Sequence, residues 1–426
     1  MTQTRQAGAE RAPAASSSRK GIGLALRRLF AASGDGTRRL VALAVSLVAI
    51  WLVFHAITGG LFLTPRNFYN LAVQSSTVAV LTIGMTMVIV TRNIDLSVGS
   101  ILGLTGMMIA LLQVEVFPAD AAWNWPVTVL IALALGTAIG LWHGFLVAFV
   151  GVPSFVVTLA GLLIFRGAAF EVSQGQTLSP FQDGYRVFGG GAEGSLGETW
   201  TWIVAALCIA LTAVATWRAA RQPRDGARAH GPHGRSALLA GGGAIAAILA
   251  AAWMFNAYDR PGSAAGHGLP SPILILGLLT GAAILVMRGM PLGKHVYAVG
   301  EDAEAARLVG VPTRRVVLTV FAAMGALCAV GAIITTARLN AGTTNLGTLM
   351  ELNVIAAAVI GGASLDGGRG AILGGVLGAF VIQSLDTGLV LLGVTSSQRQ
   401  ILIGLVLIAA VWFDRVAARG TPGASR

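Results

Sequence analysis

Charged side chains are scarce in this chain: Asp, Glu, Lys and Arg make up 11% of its 426 residues, against about a quarter in an ordinary soluble domain. A soluble fold of this size could not cover its surface with so few charges, so much of that surface faces something other than water. Cysteine is nearly absent. Cys208 and Cys328 both fall inside apolar runs, which excludes a disulfide framework and a thiolate metal site and leaves them as small packing residues. No Gly-x4-Gly-Lys-Ser/Thr phosphate loop is present, so the chain cannot hydrolyse ATP itself. A His-Glu-x2-His pair and a Gly-x-Ser-x-Gly elbow are also missing, and the six histidines show no ligand spacing. No catalytic and no metal-ligating residues are therefore assigned. The formal charge of +11 does not signal nucleic acid, because the basic residues lie between apolar runs and form no aromatic-interleaved domain.

What the chain does have is apolar length. Hydrophobic residues make up 55% of it, and 56 glycines fall mostly within the hydrophobic runs. Such runs, about 17–25 residues each, are long enough for a helix to cross ~30 Å of hydrocarbon. They are continuous rather than alternating, which favours helices over a barrel, and the glycines suit close packing between membrane helices. The expected fold is an all-α integral membrane protein with about twelve segments (10–12). The first begins near residue 40 and is read as an uncleaved span rather than a signal peptide. The others lie at about 71–91, 97–114, 126–150, 154–171, 199–217, 237–255, 272–287, 317–336, 351–365, 371–391 and 398–413. Those at 272–287 and 351–365 are short enough to be broken or re-entrant. Residues 1–39 read as a basic disordered tail, 40–415 as one polytopic domain with internal loops at 218–236 and 288–316, and 416–426 as a second tail.

Basic residues set the orientation. With the N-terminus inside and every segment crossing, 23 basic residues lie in inner pieces and five in outer ones, so both termini are expected in the cytoplasm. A parallel internal repeat is suggested by Asp95-Leu-Ser-Val-Gly99-Ser-Ile-Leu-Gly103 and Asp366-Gly-Gly-Arg-Gly370-Ala-Ile-Leu-Gly374, which agree at five of nine positions. In a chain this rich in Gly and Leu, chance competes with that reading.

Several residues invite a role. The inner stretch 288–316 contains a short helix candidate, Glu301 to Leu308, with acids in its first turn and Gly310 as its stop; it is either a docking element or a solvated loop. Asp95 and Asp366 each precede an apolar run. Each reads as an N-cap or as part of a polar ring at the inner mouth of a pathway, the latter drawing in Ser97, Gly99 and Gly370. Arg166 and Glu171 lie in or near a span, where an ionisable group needs a partner or a cavity, and Arg166 reads equally as an anchor or a pathway residue. His143, Gln383 and Asp386 lean towards hydrogen bonding between helices. Gly99/Gly103, Gly136/Gly140/Gly144 and Gly370/Gly374/Gly378 have the small-xxx-small spacing of helix contacts.

Glu304-Ala305-Ala306-x3-Gly310 resembles the loop by which permease subunits of ABC importers engage their ATPases. Ile94-Asp95-Leu96-Ser97-Val98-Gly99-Ser100 and Val359-Ile-Gly-Gly-Ala-Ser-Leu365 with Gly367-Gly368 are similar to signatures of the ribose/xylose class of sugar permeases. Val152-Pro-Ser-Phe-Val-Val-Thr-Leu-Ala-Gly161, Phe165-Arg166-Gly167, Asn256-Ala-Tyr258 and Ser384-Leu-Asp386 place the resemblance nearest the xylose branch, as does the extra pair of spans around 218–235. The pattern covers nearly the whole chain beyond residue 40. It departs at Gly300-Glu301-Asp302, where the family usually has Gly-Gly-Asn, and at Arg92-Asn93. The resemblance implies a homodimeric permease in a bacterial inner membrane, bound to an ABC ATPase dimer that uses ATP and Mg, with no cofactor held by this chain. It also implies a periplasmic sugar-binding protein, met by the outer loops 172–198 and 337–350, and a small sugar, D-xylose first, as cargo. Glu304, Ala305, Ala306, Arg307 and Gly310 would couple to the ATPase. The rivals are a permease for another pentose, hexose or polyol, and an ion-gradient transporter, which would need acids at mid-membrane and leaves Glu304-Ala-Ala unexplained.

Overall fold

Pro65, at the first turn of a helix where its missing N–H costs nothing, opens the element around which the rest is built. The computed structural model describes residues 35–221, 233–259 and 265–419. Most of the expected N-terminal tail, the centre of the loop at 218–236 and the last residues of the C-terminal tail lie outside them. Among the described residues the chain is helical, with only isolated β-bridges. The helices are α1 (Asp35–Ile57), α2 (Pro65–Val90), α3 (Val98–Leu111, continued by a π turn Leu112–Val116), α4 (Asn124–Phe145, continued by a π turn Leu146–Val150), α5 (Ser154–Ser173), the short α6 (Asp183–Arg186), α7 (Glu198–Arg221), α8 (His233–Asn256), α9 (Ser271–Gly289), α10 (Pro291–Glu301), α11 (Ala303–Leu308), α12 (Thr313–Leu339), α13 (Met350–Ile360), α14 (Ile372–Leu391) and α15 (Ser396–Arg419).

Ten of the described helices are long and apolar enough to cross a membrane. Each expected apolar segment overlaps a helix, and the stretch at 272–287 is corrected from a broken-span candidate to a continuous 19-residue helix, α9. The stretch at 351–365 is the short one: α13 has 11 residues, about 16 Å of rise, or half a bilayer core.

Helix α2 is the hub, with 94% of its most apolar window buried, whereas the corresponding share is 11% in α1 and α7. Three hydroxyls on α2 are satisfied within the helix, Ser76, Thr82 and Thr86 each donating to the carbonyl four residues back, and Thr77 meets Thr335 of α12 at 3.2 Å. Glycine sets the closest approach. Gly136, Gly140 and Gly144 of α4 lie directly on the backbone of α12 at Gly325, Phe321 and Leu318, leaving no room for a side chain. Gly361, Gly374 and Gly378 do the same between α13 and α14. Gly370, expected in that stripe, precedes α14 rather than lying on it. Cys328 is buried in this packing, while Cys208 is exposed on α7.

The bundle has two distinct ends. One carries α10 and α11. At the other, the chain at 174–197 folds over the end of α12: the Tyr185 hydroxyl donates to Ile333 O and meets Thr336 Oγ1 at 2.7 Å. Tyr258 stacks on His267 with ring centroids 4.3 Å apart.

Candidate functional site

The sequence-predicted helix Glu301–Leu308 is two helices. Met290 is extended and Pro291 occupies the first turn of α10, whose buried residues Gly293, Val296, Val299 and Gly300 recur at helical spacing and face the bundle. Asp302 then breaks the helix with φ −156°. Its Oδ1 accepts from Glu304 N at 2.9 Å and Ala305 N at 3.0 Å, a side-chain N-cap that starts α11 in a new direction. On α11, Ala306 faces inward, while Glu304, Ala305 and Arg307 are exposed. Arg307 bonds Glu304 at 2.6 Å, which raises the guanidinium pKa further. Gly310, at φ +87°, ends the turn. The five predicted coupling residues thus form one knob, tipped by two residues the sequence reading passed over, Leu308 and Val309, 77% and 81% exposed.

On the opposite face, α10 grips two turns distant in sequence. Gly368 N donates to Val90 O at 2.9 Å, and Gly300 rests on that bond so closely that a Cβ would strike both atoms' backbones. Arg92, itself at φ 61°, donates from Nη2 to Glu301 O at 2.5 Å. Tyr297 donates its hydroxyl to Gly370 O at 2.8 Å; partial burial raises its pKa, opposed by Arg288. The turn at 90–97, which leads into α3, and the turn at 361–371, which leads into α14, are therefore tied to α10, the short helix that leads through Asp302 into α11 and its exposed knob.

Asp95 and Asp366 part company here. Asp95 is buried, its Oδ1 accepting from Ser97 N at 2.9 Å and Ser97 Oγ at 2.5 Å. Ser97 Oγ lies 3.5 Å from His143 Nδ1, and Ile94 N and O meet Ser154 and Thr158 of α5. Asp95 thus steadies the residue ahead of α3 instead of capping the helix. Asp366 is exposed, and α14 starts at Ile372 after Ala371 with no side-chain cap, so the N-cap reading of Asp366 is corrected. Helix begins three residues after Asp95 and six after Asp366, so the nine-residue repeat does not mark equivalent helix starts.

Residues 337–350, expected as an outer docking loop, comprise the end of α12 and a segment that packs along α3. After Asn340, in the left-handed conformation, the chain pairs Gly342 with Leu178 and then runs along α3. Gly342 lies on Gly106 and Ala110, Leu346 O on Gly103, and Gly347 on Gly99. Leu349, again left-handed, starts α13. This unwound strand, a run of turns rather than β-structure, leads into the half-helix α13; non-helical backbone of this kind is tolerated inside a membrane only when protein covers it. Arg166 is what covers it. Its Nη1 donates to Leu346 O at 2.8 Å and Thr344 O at 3.3 Å, rather than pairing with Glu171, which is exposed. Glu351, 7% exposed and set against Gly99, was missed by sequence reasoning. Gln383 reaches Gln74 at 3.4 Å, as expected for a bond between helices.

A family model described as branched-chain amino acid transport system / permease component matches residues 67–411. The xylose transport system permease protein XylH of Escherichia coli is 36% identical over 383 residues, 89% of this chain and 93% of that protein. XylH of Haemophilus influenzae is 36% identical over 373 residues, 87% of this chain and 94% of its own length. The ribose import permease protein RbsC of Escherichia coli is 33% identical over 373 residues, 87% of this chain and 92% of its own. No solved structure matches.

Proposed function

The chain belongs to the permease components of ABC sugar importers of the ribose/xylose class, and from that premise we propose that it carries a monosaccharide, D-xylose in first place, across a bacterial inner membrane. Two relatives named for xylose support that choice, and RbsC supports ribose as the second reading. In this proposal a periplasmic protein delivers the sugar and a pair of ATPase subunits hydrolyses ATP with Mg, while this chain binds neither cofactor. A second permease copy completes the pathway. Twelve segments cross or half-cross, α10 and α11 face the cytoplasm, and so do both termini. Residues 40–415 then form the permease domain, between tails at 1–39 and 416–426.

The single observation that carries the reading is the two-faced α10–α11 unit. Its exposed side presents Glu304, Ala305, Arg307, Leu308 and Val309 to a partner, and its buried side is bonded to the turns ahead of α3 and α14. A partner that closes on ATP and pushes the knob moves both turns together, a rigid-body switch of the kind that opens one side of a transporter as it closes the other. Asp95, Ser97 and Gly99 at one turn and Asp366 and Gly370 at the other sit where that switch acts, and Arg166 holds the unwound strand beside it.

The test is reconstitution of the permease in vesicles with its ATPase and binding protein, measuring labelled D-xylose and D-ribose uptake with and without ATP. ATP-dependent uptake of either sugar, lost in Glu304→Arg, supports the proposal. Accumulation by the permease alone on a proton or sodium gradient would refute it.

A further inference from the structure

Where α13, α14 and α15 meet, a cavity of about 330 Å³ opens, bounded by the polar residues Thr348, Asn353, Asp386, Ser396, Arg399 and Gln400. Its size lies at the lower end of small-molecule sites, about 300–1,000 Å³. Leu352 and Ile403 complete an apolar wall. Arg399 Nη1 bonds Asp386 Oδ1 at 2.7 Å, both side chains partly exposed to the cavity. The guanidinium is only partly used, because Nε is buried without a partner, and a carboxylate accepts about four hydrogen bonds. A pair whose charges cancel, ringed by two amides and two hydroxyls, offers donors and acceptors with no net charge. That is complementary to a neutral polyhydroxyl ligand, whose hydroxyls donate to the carboxylate and accept from the guanidinium, and poor for an ion.

Position adds to chemistry. Asp386 is 14 residues past the start of α14 at Ile372, about 21 Å of helix rise from the end that α10 holds through Gly370. One wall, Thr348 and Leu349, belongs to the unwound strand whose Leu346 carbonyl Arg166 anchors and whose Gly347 lies on α3. A shift of α3 driven from α10 therefore reaches this wall directly.

We infer that this cavity is a binding subsite for a monosaccharide within the permease itself, with Asp386 and Arg399 as its paired acceptor and donor and Asn353 and Gln400 as its neutral contacts. The inference rests on the sugar-import reading above. In the complete importer in vesicles, a Gly404→Cys variant in a Cys208→Ser background is labelled with a maleimide, with and without D-xylose or D-ribose; Gly404 lines the cavity with open space for a side chain, and Cys328 is buried and silent. Sugar slows labelling saturably. Asp386→Asn and Arg399→Gln each lose that protection and lower the sugar moved per ATP by about tenfold or more, the equivalent of one hydrogen bond to a charged group. The exchange Asp386→Arg with Arg399→Asp separates a subsite from a pin between α14 and α15: a pin is restored by the swap, a sugar site is not. Labelling indifferent to both sugars, or transport rescued by the swap, overturns the subsite while wild-type uptake leaves the importer reading standing. Wild-type assemblies that import neither sugar overturn both.

Discussion

Replacing Gly300 with Ala sets two physical effects against each other. Within α10 alone the change is favourable, because Ala is better than Gly in a helix interior by about 1 kcal/mol. In the folded chain the new methyl meets Val90 O and Gly368 N, the two ends of a 2.9 Å backbone hydrogen bond. Neither atom can rotate away as a side chain would. Overpacking costs about 1–3 kcal/mol and the weakened bond about 1 kcal/mol more. Subtracting the helix gain leaves about 1–3 kcal/mol against the closed joint, or about 5–150-fold in a coupling equilibrium. The assay is sugar moved per ATP hydrolysed in vesicles holding the permease, ATPase and binding protein, alongside the melting temperature of the purified permease. The ratio falls by that factor, while the ATPase stays bound, because α11 lies beyond Asp302 and keeps its own cap. A Gly300→Ala permease that melts higher and transports with an unchanged ratio would show that only local helix propensity matters, and the joint would not be the transmission.

Glu304→Arg removes the Arg307 partner and reverses charge on the exposed knob, and Gly310→Arg forces a side chain into φ +87° at about 1–2 kcal/mol; both abolish uptake and ATPase co-purification while membrane insertion, followed by protease protection, persists. Arg166→Met removes two hydrogen bonds to the unwound strand, each worth about 1.5–3 kcal/mol. It lowers the melting temperature of the purified permease by several degrees, with Arg166→Lys recovering part of the loss. Gly140→Leu drives a side chain into Phe321 O and the α4–α12 seam, so the variant inserts but elutes as aggregate on size-exclusion chromatography.

Solvent logic made the helices legible. Scarce charge and long apolar runs located the long apolar helices, and small-xxx-small spacing picked out Gly136, Gly140 and Gly144 as packing residues without naming α12 as their partner, because both signals are local and one-dimensional. Glu304-Ala-Ala-x3-Gly310 stands out only by its resemblance to a known loop, since its residues alone read equally as a docking element or a solvated turn. Helix α10 was within reach too: Pro291 at a first turn and Gly293, Val296, Val299 and Gly300 at helical spacing form a clear amphipathic signal, obscured by the polar look of Lys294 and His295. The grip of α10 on Val90, Gly368 and Gly370 joins residues more than 60 positions apart, and no local pattern announces it. Asp95 and Asp366 looked alike because sequence records neighbours in the chain. One is folded onto Ser97 and the other left in an open turn by contacts that lie elsewhere.

The unwound strand at 340–349 reads in the sequence as a loop, and the structure lays it against α3. Asn340-Ala-Gly-Thr-Thr-Asn345-Leu-Gly347 is polar and Gly-containing, the composition of a loop in water, and a membrane span is recognised by the opposite composition. Backbone that abandons its helical hydrogen bonds inside a membrane must find other donors and surfaces. Here they come from three other places: the Arg166 guanidinium on α5, the glycine face of α3 at Gly99, Gly103 and Gly106, and the backbone of Leu178. Each partner looked ambiguous alone. Arg166 read equally as anchor or pathway residue, and the glycines of α3 read as helix-packing residues. Together they form a bed for a non-helical strand, which explains why Arg166 stands on an apolar helix without a carboxylate partner in bonding range: its partners are carbonyl oxygens that a helix would have kept for itself.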